Sequence, residues 1–153
     1  MAARLAYPSP HPGHQAPPYS AQPLHRVVGR RTLETLVSDL PFDPAAFAQR
    51  QLDAYNDKDL ERFVREYTDD VLVYRMPQAE PVLVGKPALA DHYAKTRFNL
   101  PHLHAALVNR MVFGNKVIDH ERVTGVADTP REVAAVYEVS AGGISKVWFI
   151  NGD

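Results

Sequence analysis

Two alternating runs of residues, 103–113 and 116–126, flank the dipeptide Gly114-Asn115, and no other feature of the sequence constrains the fold as strongly. Glycine and asparagine both tolerate positive φ, so this dipeptide between apolar runs predicts a two-residue turn that joins antiparallel strands. The chain is therefore expected to contain a long β-hairpin.

The turn also predicts the register of this hairpin. Counting outward pairs Met111 with Ile118. The further pairs are Arg110 with Asp119, Asn109 with His120, Val108 with Glu121, and Leu107 with Arg122. Because successive side chains of a strand point to opposite faces, His120 and Arg122 share one face with Met111. Arg110 and Asp119 are expected to form a cross-strand ion pair on the other, outer face.

Three helices are predicted before the hairpin. Asp43 is typical of an N-cap and is followed by Pro44, which favours the first helical position, so a helix is expected to end near Asn56. Asp59 is a second predicted N-cap and begins a short helix. Pro87 begins the third helix, which runs past Tyr93.

The remaining strands frame the hairpin in the sequence. The β-branched and aromatic run 71–74 predicts a strand after the second helix. Residues 133–139 and 144–150 predict a second strand pair across the glycine-rich segment 141–143. This order predicts an α+β domain in which helices pack on one face of a curved, mostly antiparallel sheet.

Composition separates an N-terminal arm from this domain. Residues 1–42 hold seven of the 13 prolines, and residues 1–25 show neither a helical nor a strand period. We therefore expect a proline-rich, disordered arm over residues 1–42 and one domain over residues 43–153.

Charge and residue usage exclude several functional classes. The 17 basic and 18 acidic residues give a net charge of −1, which argues against a nucleic-acid or acidic-membrane partner. The absence of cysteine excludes disulfides, thiol catalysis and cysteine-ligated metals. The pair His102 and His104 is weak evidence for zinc, and we predict no metal and no cofactor. The expected location is cytoplasmic.

Four segments of the sequence resemble SnoaL-like domains of the nuclear-transport-factor-like superfamily, which includes ketosteroid isomerases, limonene epoxide hydrolases and polyketide cyclases. These segments are Ala48–Leu60, Tyr67–Val71, Val84–Leu89 and Gly142–Phe149, and the resemblance extends over about residues 43–150. It implies a cone-shaped, cystatin-like roll in which three helices and a bent sheet enclose a mostly apolar cavity. It also implies a homodimer through the outer face of the sheet.

The catalytic sets of these relatives are not retained. The three ketosteroid isomerase positions correspond to Gln51, Arg75 and about Ala135, none of which preserves its role. Of the epoxide hydrolase relay only Arg122 remains, because the two acids correspond to Thr124 and Phe149. A relay without both acids cannot activate water by the same route.

The resemblance nevertheless predicts a pocket. Its predicted ligand-binding residues are Phe47, Gln51, Val73, Arg75, Leu107, Asn109, Tyr137, Val147 and Phe149, with Ala135 also facing inward. The catalytic candidates are His120, which titrates near neutral pH, together with Arg122 and Tyr55. An arginine in an apolar pocket without an acid favours a ligand that carries a carboxylate or carbonyl.

Three functions remain open at this point. The first is a protein that binds a small hydrophobic molecule bearing a carbonyl or carboxylate in an internal cavity. The second is an isomerase, cyclase, dehydratase or hydrolase that acts on such a ligand through His120 and Arg122. The third is a non-catalytic, dimeric interaction module.

Overall fold

The computed structural model describes residues 42–152. The predicted disordered arm over residues 1–42 lies outside the described residues, apart from Phe42, as does the terminal Asp153. Within the described range no helix has both the length and the apolar character that crossing a bilayer requires.

Within residues 42–152, three helices form where the sequence signals predict them. Helix α1 spans Pro44–Asn56, and the Asp43 side chain accepts a hydrogen bond from the amide of Ala45 at 3.0 Å. Helix α2 spans Leu60–Arg65, and helix α3 spans Lys86–Thr96. In α1 and α2 the N-cap aspartate, Asp43 or Asp59, accepts a hydrogen bond from an amide of the first turn that would otherwise lack a partner.

In the described part of the chain, six strands form one mixed sheet. They are β1 (Tyr67–Arg75), β2 (Leu83–Val84), β3 (His104–Phe113), β4 (Lys116–Thr124), β5 (Arg131–Ser140) and β6 (Gly143–Asn151), in the order β2-β1-β6-β5-β4-β3. Strands β1 and β6 run parallel, and the other pairings described are antiparallel. The predicted α+β architecture is confirmed, with β2 as a strand that the sequence analysis did not predict.

The hairpin turns where predicted, but its register changes part-way. Gly114 has a φ of 60°, as a turn with glycine in its first position requires. The predicted pairs hold from the turn as far as Asn109 with His120. A bulge between Leu107 and Asn109 then pairs Leu107 with Glu121, so the predicted pairs of Val108 with Glu121 and of Leu107 with Arg122 are wrong.

The face that packs against the helices is the opposite of the predicted one. Helix α1 packs across strands β3 to β6, and the residues of β4 buried beneath the helices are Val117, Asp119 and Glu121. The Arg110–Asp119 ion pair exists, with two contacts of 2.7 Å, but it lies on this inner face rather than outside. Arg110 also donates to Gln49 of α1 at 2.9 Å, so the pair holds helix and sheet together.

Two further features hold the helices in place. The side chain of Asn56, at the end of α1, bonds both backbone groups of Ala105 on β3, at 2.8 and 2.9 Å. The rings of Phe63 and Tyr93 are 4.5 Å apart between centroids, and Tyr55 packs 6.2 Å from each of them. These aromatic contacts position Tyr55 and Tyr93 above the sheet.

Candidate functional site

A cavity of about 240 Å³ lies between the helices and the inner face of the sheet. Its apolar lining comes from α1, from β1 and the adjoining segment, from β4 and the loop after it, and from β5 and β6. These residues are Leu52, Val73, Val82, Leu83, Val123, Val126, Val133 and Phe149. The volume is slightly below the roughly 300–1,000 Å³ of pockets that enclose drug-sized ligands, so it suits a small molecule.

Glu121 is the single acidic residue among the residues described as lining this cavity. Its side chain is buried with the residue 7% exposed, and its Oε1 has no hydrogen-bond partner among the described residues. Strand β4 places it there because Glu121 lies two residues beyond Asp119 on the inner face. A buried polar atom without a partner costs about 1–3 kcal/mol, which makes it a group that a ligand can satisfy.

The environment of Glu121 changes its acidity. Burial raises the pKa of its carboxyl to about 7, with the negative charge of Asp119 adding to the effect and the positive charge of Arg110 opposing it. A carboxyl with this pKa exchanges its proton near neutral pH, as a general acid or base must.

Gln51 and Tyr137, which both line the cavity, belong to one chain of hydrogen bonds. Gln51 Nε2 donates to the hydroxyl of Tyr137 at 2.9 Å, and the hydroxyl of Tyr67 donates to Gln51 Oε1 at 3.3 Å. Burial raises the pKa of both tyrosines well above the usual value, so they stay protonated. Because the Tyr137 hydroxyl oxygen accepts from Gln51, the hydroxyl hydrogen of Tyr137 can be donated to another group.

Tyr55 of α1 and Tyr93 of α3 line the cavity on its helical side. Burial raises the pKa of Tyr55 to about 12 and raises that of Tyr93 as well, with the charge of Glu121 adding to both effects and that of Arg97 opposing them. Both hydroxyls are therefore neutral donors near physiological pH.

The mouth of the cavity is basic. Arg75, Arg97, Arg131 and His92 all line it. Partial burial, together with the charges of Arg97 and Arg75, lowers the pKa of His92, so its imidazole is neutral at physiological pH. Among the described residues no group of three or more metal-ligating side chains is positioned to hold a metal ion.

The family model for the SnoaL-like domain matches residues 48–147. The chain belongs to the SnoaL-like domain family. The expected resemblance is thereby confirmed over most of the described residues. A comparison with curated protein sequences gives no match.

Solved structures place this SnoaL-like domain among cystatin-like folds. A cystatin-fold protein from Novosphingobium aromaticivorans is 26% identical, with a TM-score of 0.65 over 72% of this chain and 99% of that one. A ketosteroid isomerase candidate from Kribbella flavida is 17% identical, with a TM-score of 0.63 over 72% and 78% of the two chains. A SnoaL-like protein from Burkholderia thailandensis is 18% identical, with a TM-score of 0.61 over 72% and 94%. The last two likenesses concern the fold alone.

The SnoaL-like domain brings together about half of the predicted site. The residues that line the cavity as predicted are Gln51, Tyr55, Val73, Arg75, Tyr137 and Phe149. Others lie elsewhere: Val147 is buried in the core, Phe47 packs against the core and under the guanidinium of Arg50, and Leu107 and Asn109 are exposed on β3. The buried Ala135 faces inward but does not line the cavity.

The prediction that His120 and Arg122 face the cavity is wrong. Their side chains are 48% and 61% exposed on the outer face of the sheet, where both contact Glu132. Side chains alternate between the two faces along a strand, so His120 and Arg122 lie on the face opposite to Asp119 and Glu121. His120 and Arg122 are therefore not available to a ligand inside the cavity.

Sequence reasoning missed Glu121, Arg97, Arg131 and His92. The sequence analysis places Glu121 on the outer face together with Asp119, because both alternate along the strand with His120 and Arg122, which the resemblance places inward. The signal that could have found Glu121 is the pairing of β4 with β5, which places Glu121 opposite Val133 and Val117 opposite Tyr137. Because Tyr137 is predicted to face inward, this register places Glu121 on the inner face as well.

Proposed function

We propose that this SnoaL-like domain binds a small hydrophobic molecule bearing a carbonyl or carboxylate group in the cavity. The unpartnered carboxyl oxygen of Glu121 supports the proposal most directly, because a ligand oxygen would satisfy it when the carboxyl is protonated. The apolar walls bury the rest of the ligand, and the hydroxyl of Tyr137 or Tyr55 supplies a second donor.

A thermal-shift screen tests this proposal with small ketones and acids such as 1-tetralone, 3-phenylpropanoate and octanoate. A ligand at 100 times its Kd adds roughly 2.7 kcal/mol to the free energy of unfolding, which raises the melting temperature by several degrees. The variant Val133→Phe fills the cavity and abolishes the shift. The matched variant Val112→Phe, on β3 outside the cavity lining, retains it. If no compound raises the melting temperature, or if Val133→Phe leaves the shift intact, the proposal is wrong.

The raised pKa of Glu121 favours a second candidate, an enzyme acting on the same ligand as an isomerase, cyclase, dehydratase or hydrolase. The Glu121 carboxylate would take a proton from the carbon next to a carbonyl, and the electron pair of the C–H bond would move to the carbonyl oxygen. A tyrosine hydroxyl would stabilise that oxygen, and return of the proton to carbon would restore Glu121. Glu121 thus takes the role that the sequence analysis gave to His120.

Solvent-deuterium exchange into bound 2-tetralone, followed by NMR, tests the enzyme candidate. We expect the protein to accelerate exchange with an apparent pKa near 7, and Glu121→Gln to abolish the acceleration while the ketone still binds. Exchange that survives in Glu121→Gln would remove Glu121 from the chemistry and leave binding as the function.

We also propose that the outer face of the sheet forms a homodimer. Exposed apolar residues lie there, among them Val108, Met111, Phe113 and Ile150. Two clusters of mixed charge accompany them, one around Glu132 and one around Glu138, so the same surface can meet a second copy of itself. Light scattering would give a dimer for the natural chain and a monomer for Met111→Lys; a monomeric natural chain would exclude this interface. The cytoplasmic location stays a prediction.

A further inference from the structure

We propose that the ligand of this cavity is an organic acid, whose carboxylate is bound at the mouth by Arg75, Arg97 and Arg131 while its apolar part lies inside. The inference rests on the proposed ligand-binding function and narrows it to one class of molecule. A neutral ketone or ester of similar shape is the class that it excludes as the preferred ligand.

The fold brings the three arginines to one end of the cavity. Arg75 is the last residue of β1, and Arg131 is the first residue of β5. These ends lie at the same edge of the sheet, because β1 runs parallel to β6 and β5 runs antiparallel to it. Arg97 directly follows α3 and enters from the helical side. Glu121 pairs with Val133, two residues along β5 from Arg131, or roughly 7 Å further in.

The guanidinium groups at the mouth retain unused donors. No ion pair formed within residues 42–152 includes Arg75, Arg97 or Arg131. Arg97 donates one hydrogen bond to the carbonyl of Thr96 at 2.9 Å. By contrast, Arg110 donates to Asp119 from Nε and Nη2 and to Gln49 from Nη1. Each guanidinium carries five donors in a planar fork that matches a carboxylate.

The charge of the lining favours an anion. The three arginines contribute +3, His92 is neutral, and Glu121 contributes either 0 or −1. The net charge is therefore +3 with Glu121 protonated and +2 with it ionised. Low-dielectric walls concentrate this positive potential at the entrance and attract acidic molecules.

The apolar walls restrict the anion to an amphiphilic one. Val82, Leu83 and Val126 line the cavity together with the arginines, and Val133 and Phe149 continue the apolar lining. A small inorganic anion would satisfy the arginines but leave these side chains in contact with water. An organic acid satisfies the arginines and also removes this apolar surface from water.

Isothermal titration of matched acids and amides tests the inference. The probes are 3-phenylpropanoate, octanoate and 1-naphthoate, each compared with its primary amide, which preserves shape and removes the charge. We expect the acids to bind at least about ten-fold more tightly than the amides. Arg97→Gln and Arg131→Gln should each weaken the acids roughly five- to ten-fold and leave the amides unchanged. Arg122→Gln, on the outer face, is the matched control and should change neither.

The outcomes separate this inference from the function on which it rests. If acids and amides bind equally, or if the arginine variants leave the acids unaffected, the inference is overturned while cavity binding stands. If neither acids nor amides bind the natural chain, ligand binding itself is contradicted. A preference for the acids that declines with added NaCl in the natural chain, and declines less in Arg97→Gln, supports the inference.

Discussion

Glu121 pairs with Val133 and Glu132 pairs with Arg122, so the two glutamates occupy adjacent positions of one strand pair but opposite faces of the sheet. Their pKa values shift in opposite directions. On the inner face, burial raises the pKa of Glu121 to about 7. On the outer face, hydrogen bonds from Arg122 and then His120 lower the pKa of Glu132. The difference shows that the identity of the side chain decides less than the face on which the strand places it.

The two arginines of this region differ in the same way. Arg110 is mostly covered and binds the fully buried Asp119, whereas Arg122 is 61% exposed and binds a solvated glutamate. A buried ion pair must remain complete, because removing one partner leaves a charge without water, whereas an exposed pair exchanges its contacts for water at little cost. We therefore expect substitutions of polar residues on the inner face to change stability and ligand chemistry more than substitutions on the outer face.

The largest expected effect comes from breaking the inner pair. Arg110→Met should lower the free energy of unfolding by about 3–5 kcal/mol, because Asp119 is then buried without its cation. Urea denaturation measures the change, with Arg122→Met as the outer-face control that costs much less. The double variant Arg110→Met/Asp119→Leu should recover most of the loss. Equal losses in Arg110→Met and Arg122→Met would remove the distinction between the faces.

A smaller effect concerns the pH dependence of stability. Between pH 4.5 and about 7 the folded protein holds a proton on Glu121 that the unfolded chain has released, so the free energy of unfolding falls as the pH rises through this window. Glu121→Gln removes this contribution. Relative to the natural chain, the variant should gain about 2–3 kcal/mol between pH 5 and pH 8.

Urea denaturation of both proteins at the two pH values provides the measurement. His92, whose lowered pKa acts in the opposite direction, is present in both and cancels in the difference. A difference that does not change with pH would place Glu121 in contact with water.

The smallest effect is expected on the outer face. Glu132→Gln should produce only a slight decrease in melting temperature near neutral pH, because its partners are solvated. The lowered pKa means that this contribution is present above the usual glutamate range and is lost as the pH falls. Scanning calorimetry in about 1 M NaCl should remove the difference, since salt screens exposed charges. A large decrease that persists in salt would contradict the comparison.

The helices and the hairpin were predictable because their signals are local. Asp43 and Asp59 cap helices through their own side chains, and Gly114 adopts the positive φ that the turn demands. The resemblance to SnoaL-like domains then located residues of α1, β1, β5 and β6 that line the cavity, among them Gln51 and Tyr137.

The choice of face was not predictable because it depends on distant contacts. Both faces of the hairpin carry apolar and charged residues, so side-chain alternation alone does not indicate which face packs against the helices. The covered set is decided by packing of α1, through contacts such as Arg110 to Gln49, and by the register of β4 against β5. The bulge near Leu107 likewise has no signature in its own residues. The basic mouth combines Arg75, Arg97 and Arg131, which are far apart in the sequence and meet only in the fold.

The bond that Asn56 makes with β3 has a consequence for how the protein behaves at high concentration. Strand β3 is at the end of the strand order, and an edge strand offers its free amide and carbonyl groups to other chains. At Ala105 the Asn56 side chain occupies both groups, as a neighbouring strand would. One asparagine thus leaves an incoming strand no free backbone group at Ala105 with which to extend the sheet.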